Sequence, residues 1–282
     1  MSQKFMRKTA LLALLLVSTL PLAAKSHKTE GPKKGTLVIV GGGQVGPEIR
    51  SRFIQLAGGP DKNFVIIPTA DEDRNLTDLT KIKDRFVQTW GVKNVTVLHT
   101  RDKKVADTKQ FADPIRHASA VWFPGGRQWR LADSYLGTRT EKEIRKLLDR
   151  GGVVGGSSAG ATIQGSYLVR GAVEGNELMM APGHEVGLGL MTNVAIDQHI
   201  ITRHREKDLD PVIEKHPDLL GIGIDESTAI VVHGSQFEVI GKSKVAVHDG
   251  KPHDGGNFYF LTPGQKFDLN TRTPIKTESA DK

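Results

Sequence analysis

Gly152-Val153-Val154-Gly155-Gly156-Ser157-Ser158-Ala159-Gly160-Ala161, residues 152–161, is the stretch on which the reading of this chain turns. Val153-Val154 predicts a short buried strand, and Ala161-Thr162-Ile163 is compatible with the start of a helix. Between them stands Gly-x-Ser-x-Gly, with glycine where a bulkier residue would strike the strand or the helix. Such a strand–turn–helix junction lifts Ser158 Oγ to the strand's carboxyl end, above a helix N-terminus that favours developing negative charge. Ser158 is therefore expected as a nucleophile, with the backbone amide of Ala159 as one oxyanion donor.

Outward from this junction, short β-branched runs alternate with helical patterns. TLVIV at 36–40, NFVIIP at 63–68, VTVLH at 95–99, AVWF at 120–123 and GVVGG at 152–156 read as strands. Helices are expected at 47–57, 77–90, 128–135 and 140–150. This alternation predicts an α/β domain with a mostly parallel sheet and helices on both faces. From about residue 218 the texture changes to LLGIGID, TAIVVHG, FEVIG, KVAVH and NFYFL, the pattern of antiparallel C-terminal β-hairpins. One domain over 36–268 is expected, followed by a polar tail at 269–282.

The chain has 282 residues, of which 38% are hydrophobic and 25% charged, and no cysteine. That composition excludes a disordered chain or a multi-span membrane protein. The missing cysteines exclude disulfides, thiolate metal sites and a thiol nucleophile. The formal charge of +7 is partly an address. Lys4, Arg7 and Lys8 precede an apolar run over Leu11–Leu20 and Leu22-Ala23-Ala24, the pattern of a secretory signal peptide over 1–24. Its removal leaves 36 basic and 32 acidic residues, a net +4 that points to no polyanion. Secretion is expected, with a flexible leader at 25–35, no membrane span after cleavage and no nucleic-acid partner. No metal and no cofactor is expected, since no His/Asp/Glu cluster has ligand spacing.

Gly41, Gly43 and Gly46 fit G-x-G-x-x-G after a strand. Pro47 starts the helix and no acidic residue ends a second strand at the required distance, so a glycine-rich turn near a cleft is the better reading.

A serine nucleophile needs a base, and the base an orienting acid. His199 follows the apolar Val194-Ala195-Ile196 and Asp197-Gln198, which puts it at a strand end; His184 and His204 stay open as bases. Asp225 and Glu226 supply acids where another strand gives way to a turn. Glu174, Glu177 and Glu185, between Ser158 and His199, keep the order Ser–acid–His open as well.

Four segments in order resemble one family: WFPGGRQWRL at 122–131, GGSSAGATIQG at 155–165, DQHIITRHR at 197–205 and HPDLLGIGIDESTAIVV at 216–232. Together they are similar to the cyanophycinases of the S51 serine peptidases, relatives of aspartyl dipeptidase. The resemblance implies a class I glutamine amidotransferase-like fold with serine in place of the usual cysteine. It implies a triad of Ser158, His199 and Glu226, with backbone amides of Gly126 and Ala159 as oxyanion donors. Gln128, Asp197, Gln198, Arg203 and Arg205 match the family's substrate pocket, with Asp197 for a guanidinium and the arginines for carboxylates. It further implies hydrolysis of cyanophycin to β-Asp-Arg dipeptides through an acyl-enzyme, and a homodimer. The family carries a third pocket arginine where this chain has Asp208, which makes a related peptidase for isoaspartyl or acidic peptides the nearest alternative. A non-catalytic secreted binding protein is the alternative from another class.

Overall fold

The computed structural model describes residues 28–73 and 76–276; the expected signal peptide lies outside them. The first half alternates β1 (Thr36–Val40), α1 (Pro47–Leu56), β2 (Asn63–Ile66), α2 (Leu79–Trp90), β3 (Asn94–Val97), α3 (Lys103–Ala106), α4 (Lys109–Arg116) and β4 (Ala120–Phe123). It continues with α5 (Gln128–Tyr135), α6 (Arg139–Asp149), β5 (Val153–Ser157) and α7 (Ala159–Thr162). The second half holds β6 (Val194–Gln198), α8 (Asp210–Lys215), β7 (Leu220–Ile224), β8 (Thr228–His233), β9 (Gln236–Gly241) and β10 (Val245–His248). It ends with β11 (Tyr259–Leu261), β12 (Lys266–Asp268) and β13 (Thr273–Ile275).

These strands form two sheets. The larger runs β13-β12-β9-β8-β1-β5-β4-β2-β3, and the smaller β11-β10-β7-β6. From β1 to β3 the large sheet is parallel; β8 joins it antiparallel to β1. The continuous apolar runs have a direct cause. Leu37, Ile39, Val121 and Phe123 face a core shared with Leu131, Ile144 and Leu147 of α5 and α6. Their neighbours Val38, Val40, Ala120 and Trp122 face a second core with Ile49 and Phe53 of α1. A strand covered on both sides needs apolar side chains at every position.

The small sheet packs against the first of these cores through Val194, Ile196, Ile222, Ile224, Val245 and Val247. Its other side carries Ala195, packed with Val169, Leu209, Val212 and Ile213. The side chains of β6 therefore alternate between a core shared with the large sheet and an outer layer.

Several expectations need correction. The C-terminal strands are divided between the sheets: β7, β10 and β11 enter the small one, while β8 and β9 extend the large one. The expected polar tail is folded as far as Ile275, because β13 pairs with β12 and Leu269 is fully buried. The described part of the expected leader is also fixed. Gly31 N donates to Gly234 O at 2.8 Å, Glu30 bridges Thr192, and Thr29 is buried. Helices α3 and α4 were not foreseen. Among the described residues, no helix is long and apolar enough to cross a membrane.

Candidate active site

Ser158 stands at the carboxyl end of β5, the central strand between β1 and β4. Its backbone lies at φ 56°, ψ −115°, far from the usual wells for a non-glycine residue. The surroundings impose this turn. Ser158 N donates to Val40 O at 3.0 Å, and Ser158 O accepts from the amides of Ala161 and Thr162. A β-carbon on Gly156 would lie 2.2 Å from Gly160 O, and one on Gly160 would lie 2.0 Å from Phe123 O. No larger residue fits either place, which is why the elbow reads Gly-x-Ser-x-Gly.

His199 comes from the other sheet. β6 and β7 run parallel, with Gln198 beside Ile224, so both chains leave the sheet at one level. His199 follows β6; Asp225 and Glu226 follow β7, in the segment that crosses to β8 in the large sheet. The two acids then separate by role. Asp225 accepts from the amides of Ile201 and Thr202, from Thr202 Oγ1 and from Ser243 Oγ, and so pins the His199–Thr202 turn. Burial raises its pKa, but those hydrogen bonds outweigh burial and hold the carboxyl below its ordinary value. Glu226 turns the other way, to the imidazole.

Ser158 Oγ lies 2.9 Å from His199 Nε2, and His199 Nδ1 lies 2.5 Å from Glu226 Oε1. Burial is the largest influence on His199 and favours the neutral ring. Glu226 acts against this, Arg203 and Arg205 act with it, and the pKa falls below its ordinary 6.5. At neutral pH the ring is therefore unprotonated, with Nε2 able to accept a proton from Ser158 and Nδ1–H directed at Glu226.

The other candidates for base and acid lie elsewhere. His184 pairs with Asp133 at 3.2 Å, His204 is exposed, and Glu185 accepts from Tyr167 Oη at 2.8 Å. Glu174 is exposed. Glu177 reaches only the edge of Arg205, at 3.9 Å.

Gly125 packs on the nucleophile, where a β-carbon would lie 3.8 Å from Ser158 Oγ. Gly126 adopts φ 137° with Ala70 O against it, a conformation and a space that only glycine accepts. Ala159 opens α7, where the first amides have no carbonyl one turn back within the helix. Gln128 is fully buried: its Nε2 donates to Val169 O and Arg170 O, at 3.0 and 2.8 Å. Its Oε1 is buried with no hydrogen-bond partner.

Sequence reasoning missed two features of this site. The glycine turn after β1 is the seat of His199 and Glu226. Gly41 O accepts from His199 N at 2.9 Å, and a β-carbon on Gly43 would lie 2.6 Å from Glu226 Oε2. The other feature is Arg170. Its Nε and Nη2 meet the two oxygens of Asp197 at 2.8 and 2.9 Å, and Nη2 also meets Asp208 Oδ2 at 2.5 Å. Asp197 belongs to the outer side of β6, with Ala195, and is fully buried. Asp197, expected to serve a substrate guanidinium, is held here by the chain's own arginine. Gln198 accepts from Arg205 Nη1 at 3.4 Å, Arg205 is buried and Arg203 exposed.

Residues 37–240 match the model of peptidase family S51. The chain belongs to that family. As an S51 member it is a serine-type peptidase, a hydrolase. The cyanophycinase of Geminocystis herdmanii is 34% identical over 227 residues, covering 77% of this chain and 82% of that one. The cyanophycinase of Trichormus variabilis is 30% identical and covers 92% and 94%. Among solved structures, a peptidase from an acI-B1 Actinobacterium is 25% identical with a TM-score of 0.65, covering 84% of this chain and 98% of that one. That solved structure shares the α/β architecture described above.

Proposed function

We propose that this S51 peptidase is secreted and hydrolyses cyanophycin, an aspartate chain bearing arginine on each side-chain carboxyl, to β-Asp-Arg dipeptides. The hydrogen-bond chain Ser158–His199–Glu226 carries this reading, and the likeness to the cyanophycinases supplies the substrate. Secretion rests on residues 1–24 alone.

In this mechanism His199 Nε2 takes the Ser158 proton as Oγ attacks the scissile carbonyl carbon. The amides of Gly126 and Ala159 hold the oxyanion. The C–N bond then breaks, His199 gives its proton to the leaving amine, and an acyl-enzyme remains on Ser158. Water, deprotonated by His199, releases the acid and restores the serine. Glu226 keeps the proton of Nδ1 in place and stabilises the imidazolium at each step. The unpartnered Oε1 of Gln128 offers an acceptor to a substrate N–H. Arg203 and Arg205 serve substrate carboxylates.

The test is incubation of the protein lacking residues 1–24 with insoluble cyanophycin, with dipeptide release as the readout. Release by wild type and none by Ser158→Ala is expected. Intact polymer after incubation with wild type overturns the substrate, and equal turnover by the variant overturns the nucleophile. A second reading, a peptidase for isoaspartyl peptides, is favoured by one observation: Asp208 is engaged with Arg170. Faster turnover of β-aspartyl dipeptides than of polymer selects it.

A further inference from the structure

Resting on the reading of Gly126 as an oxyanion donor, we infer that Thr69 is a positioning residue for the hydrolysis, its hydroxyl fixing the Gly125-Gly126 backbone against Ser158. The donor lies in a pair of glycines, the residues with the most conformational freedom. It works only if its N–H already points to where charge develops. Restraint must therefore come from outside the pair. Gly125 has Ser158 on one side, and Gly126 has the turn after β2 on the other. A β-carbon on Gly126 would lie 2.0 Å from Ala70 O and 2.9 Å from Asp71 N. Arg127 N donates to Ala70 O at 2.7 Å, which fixes the peptide that follows Gly126.

The sheet order brings these two turns together. β2 pairs in parallel with β4, so the turn at 68–71 and the turn at 124–126 leave the same end of the sheet. Asp71 N donates to Pro68 O at 2.9 Å and closes the first of them. Arg101 Nη2 and Arg130 Nη1 both donate to Asp71 O and hold one end of that turn. The other end is held through Thr69, which is fully buried. Tyr135 Oη lies 2.5 Å from Thr69 Oγ1, and His99 Nδ1 lies 3.0 Å from it. Tyr135 ends α5, the helix that begins at Gln128. A closed ring results: Arg127 to Ala70, Ala70 to Thr69, Thr69 to Tyr135, and back along α5 to Arg127.

The three groups have one proton order. Tyr135 Oη is 3.4 Å from Thr100 O and much nearer Thr69 Oγ1, so its proton goes to the threonine. Thr69 then gives its own proton to His99 Nδ1. Burial, aided by the nearby Arg101, lowers the pKa of His99 and keeps the ring neutral at neutral pH. Burial pushes the Tyr135 phenol up to about 12, so it keeps its proton too. A valine would fill the place of Thr69 with the same shape and no need of a partner. The hydroxyl adds what valine lacks, a lock between the turn at 68–71 and α5.

The experiment compares wild type with Thr69→Val, Thr69→Ser and Tyr135→Phe. Two rates are read: phosphonylation of Ser158 by a fluorophosphonate, whose P=O oxygen takes the oxyanion's place, and hydrolysis of a soluble β-Asp-Arg oligomer. Thr69→Val and Tyr135→Phe are expected to lower the phosphonylation rate and kcat by about 10-fold or more, with KM within about 3-fold. Thr69→Ser keeps the hydroxyl and should stay within about 3-fold of wild type throughout. The acid limb of kcat/KM should keep its midpoint in all of them, since His199 is untouched. A smaller loss in Thr69→Val overturns the inference, as does an equal loss in Thr69→Ser, an effect confined to KM or a shifted acid limb. Where circular dichroism shows Thr69→Val unfolded, the same criteria apply to Tyr135→Phe, which keeps the ring and loses only its bond to Thr69. A wild type that is phosphonylated but leaves the oligomer intact overturns the cyanophycin reading, and the phosphonylation rates then decide the inference. No phosphonylation of wild type overturns the nucleophile and the inference together.

Discussion

Gly42 lies so close beneath the imidazole of His199 that a β-carbon on it would stand 2.1 Å from Cε1 and 2.6 Å from both ring nitrogens. It also adopts φ +121°, which side chains with a β-carbon rarely accept. The backbone of the turn after β1 is thus the floor on which the His199 ring rests. Gly42→Ala is expected to lower kcat by about 100-fold through displacement of the ring by about an ångström. Gly46→Ala, in the same turn with open space around it, should leave kcat unchanged. Steady-state kinetics on both variants, with circular dichroism to show that they are folded, checks this.

The ionisation of His199 sets the acid limb of activity. Its pKa lies below 6.5, so the neutral, proton-accepting form persists as pH falls below 6.5 and is lost only further down. The acid limb of kcat/KM is therefore expected to have its midpoint below 6.5. Arg203 is one of the charges that hold the value down. Arg203→Gln should move that midpoint to higher pH, and Glu226→Gln, which removes the opposing carboxylate, to lower pH. A profile of kcat/KM from pH 4 to 8 for the three proteins decides it.

The pairing of Arg170 with Asp197 predicts a characteristic pattern of stability. Asp197→Leu leaves a buried guanidinium with Asp208 as its remaining carboxylate and is expected to cost about 3–5 kcal/mol. Arg170→Met leaves a buried carboxylate and should cost a similar amount. The double variant is expected to be more stable than either single one, because both charges are gone. Urea denaturation of the four proteins, read as a double-mutant cycle, tests the coupling.

Much of the large sheet was legible because both its faces are buried. An apolar run bounded by glycines leaves few alternatives, and β1, β2, β4 and β5 lie within a residue or two of their expected positions. Ser158 was legible for a related reason: the close approach of Gly160 to Phe123 O restricts the residues that can surround it. Other features had no local signature. Helices α3 and α4 are short and rich in charge, and α4 contains Pro114, so their pattern did not separate them from a loop. That β6 and β7 form a second sheet depends on pairing between residues over twenty positions apart. The choice of Glu226 over Asp225 is made by the direction in which each leaves the turn. Arg170 is the clearest case: a lone arginine after Tyr167-Leu168-Val169 gives no sign in sequence that Asp197 and Asp208 converge on it.

Residues 266–275 contribute to the body of the fold. Leu269 is fully buried, beside Phe267, which stacks on Phe237 with ring centroids 5.0 Å apart. Leu269→Ala is expected to destabilise the protein by about 2–5 kcal/mol while leaving kcat at 25 °C unchanged, since this corner touches no triad residue. Thermal and urea unfolding beside an activity assay would show both outcomes.

Ser158, His199 and Glu226 hang from different supports: the serine from the large sheet, the histidine from the small one, and the glutamate from the turn between β7 and β8 that links the two. The enzyme therefore works as a caliper whose jaws are its own sheets. Turnover registers any slip at the seam of the order of an ångström, well before either sheet loses its hydrogen bonds. Inactivation on warming is accordingly expected as a loss of alignment first and a loss of structure second, with the Gly41–Gly43 backbone, touching both jaws, as the spring that keeps them in gauge.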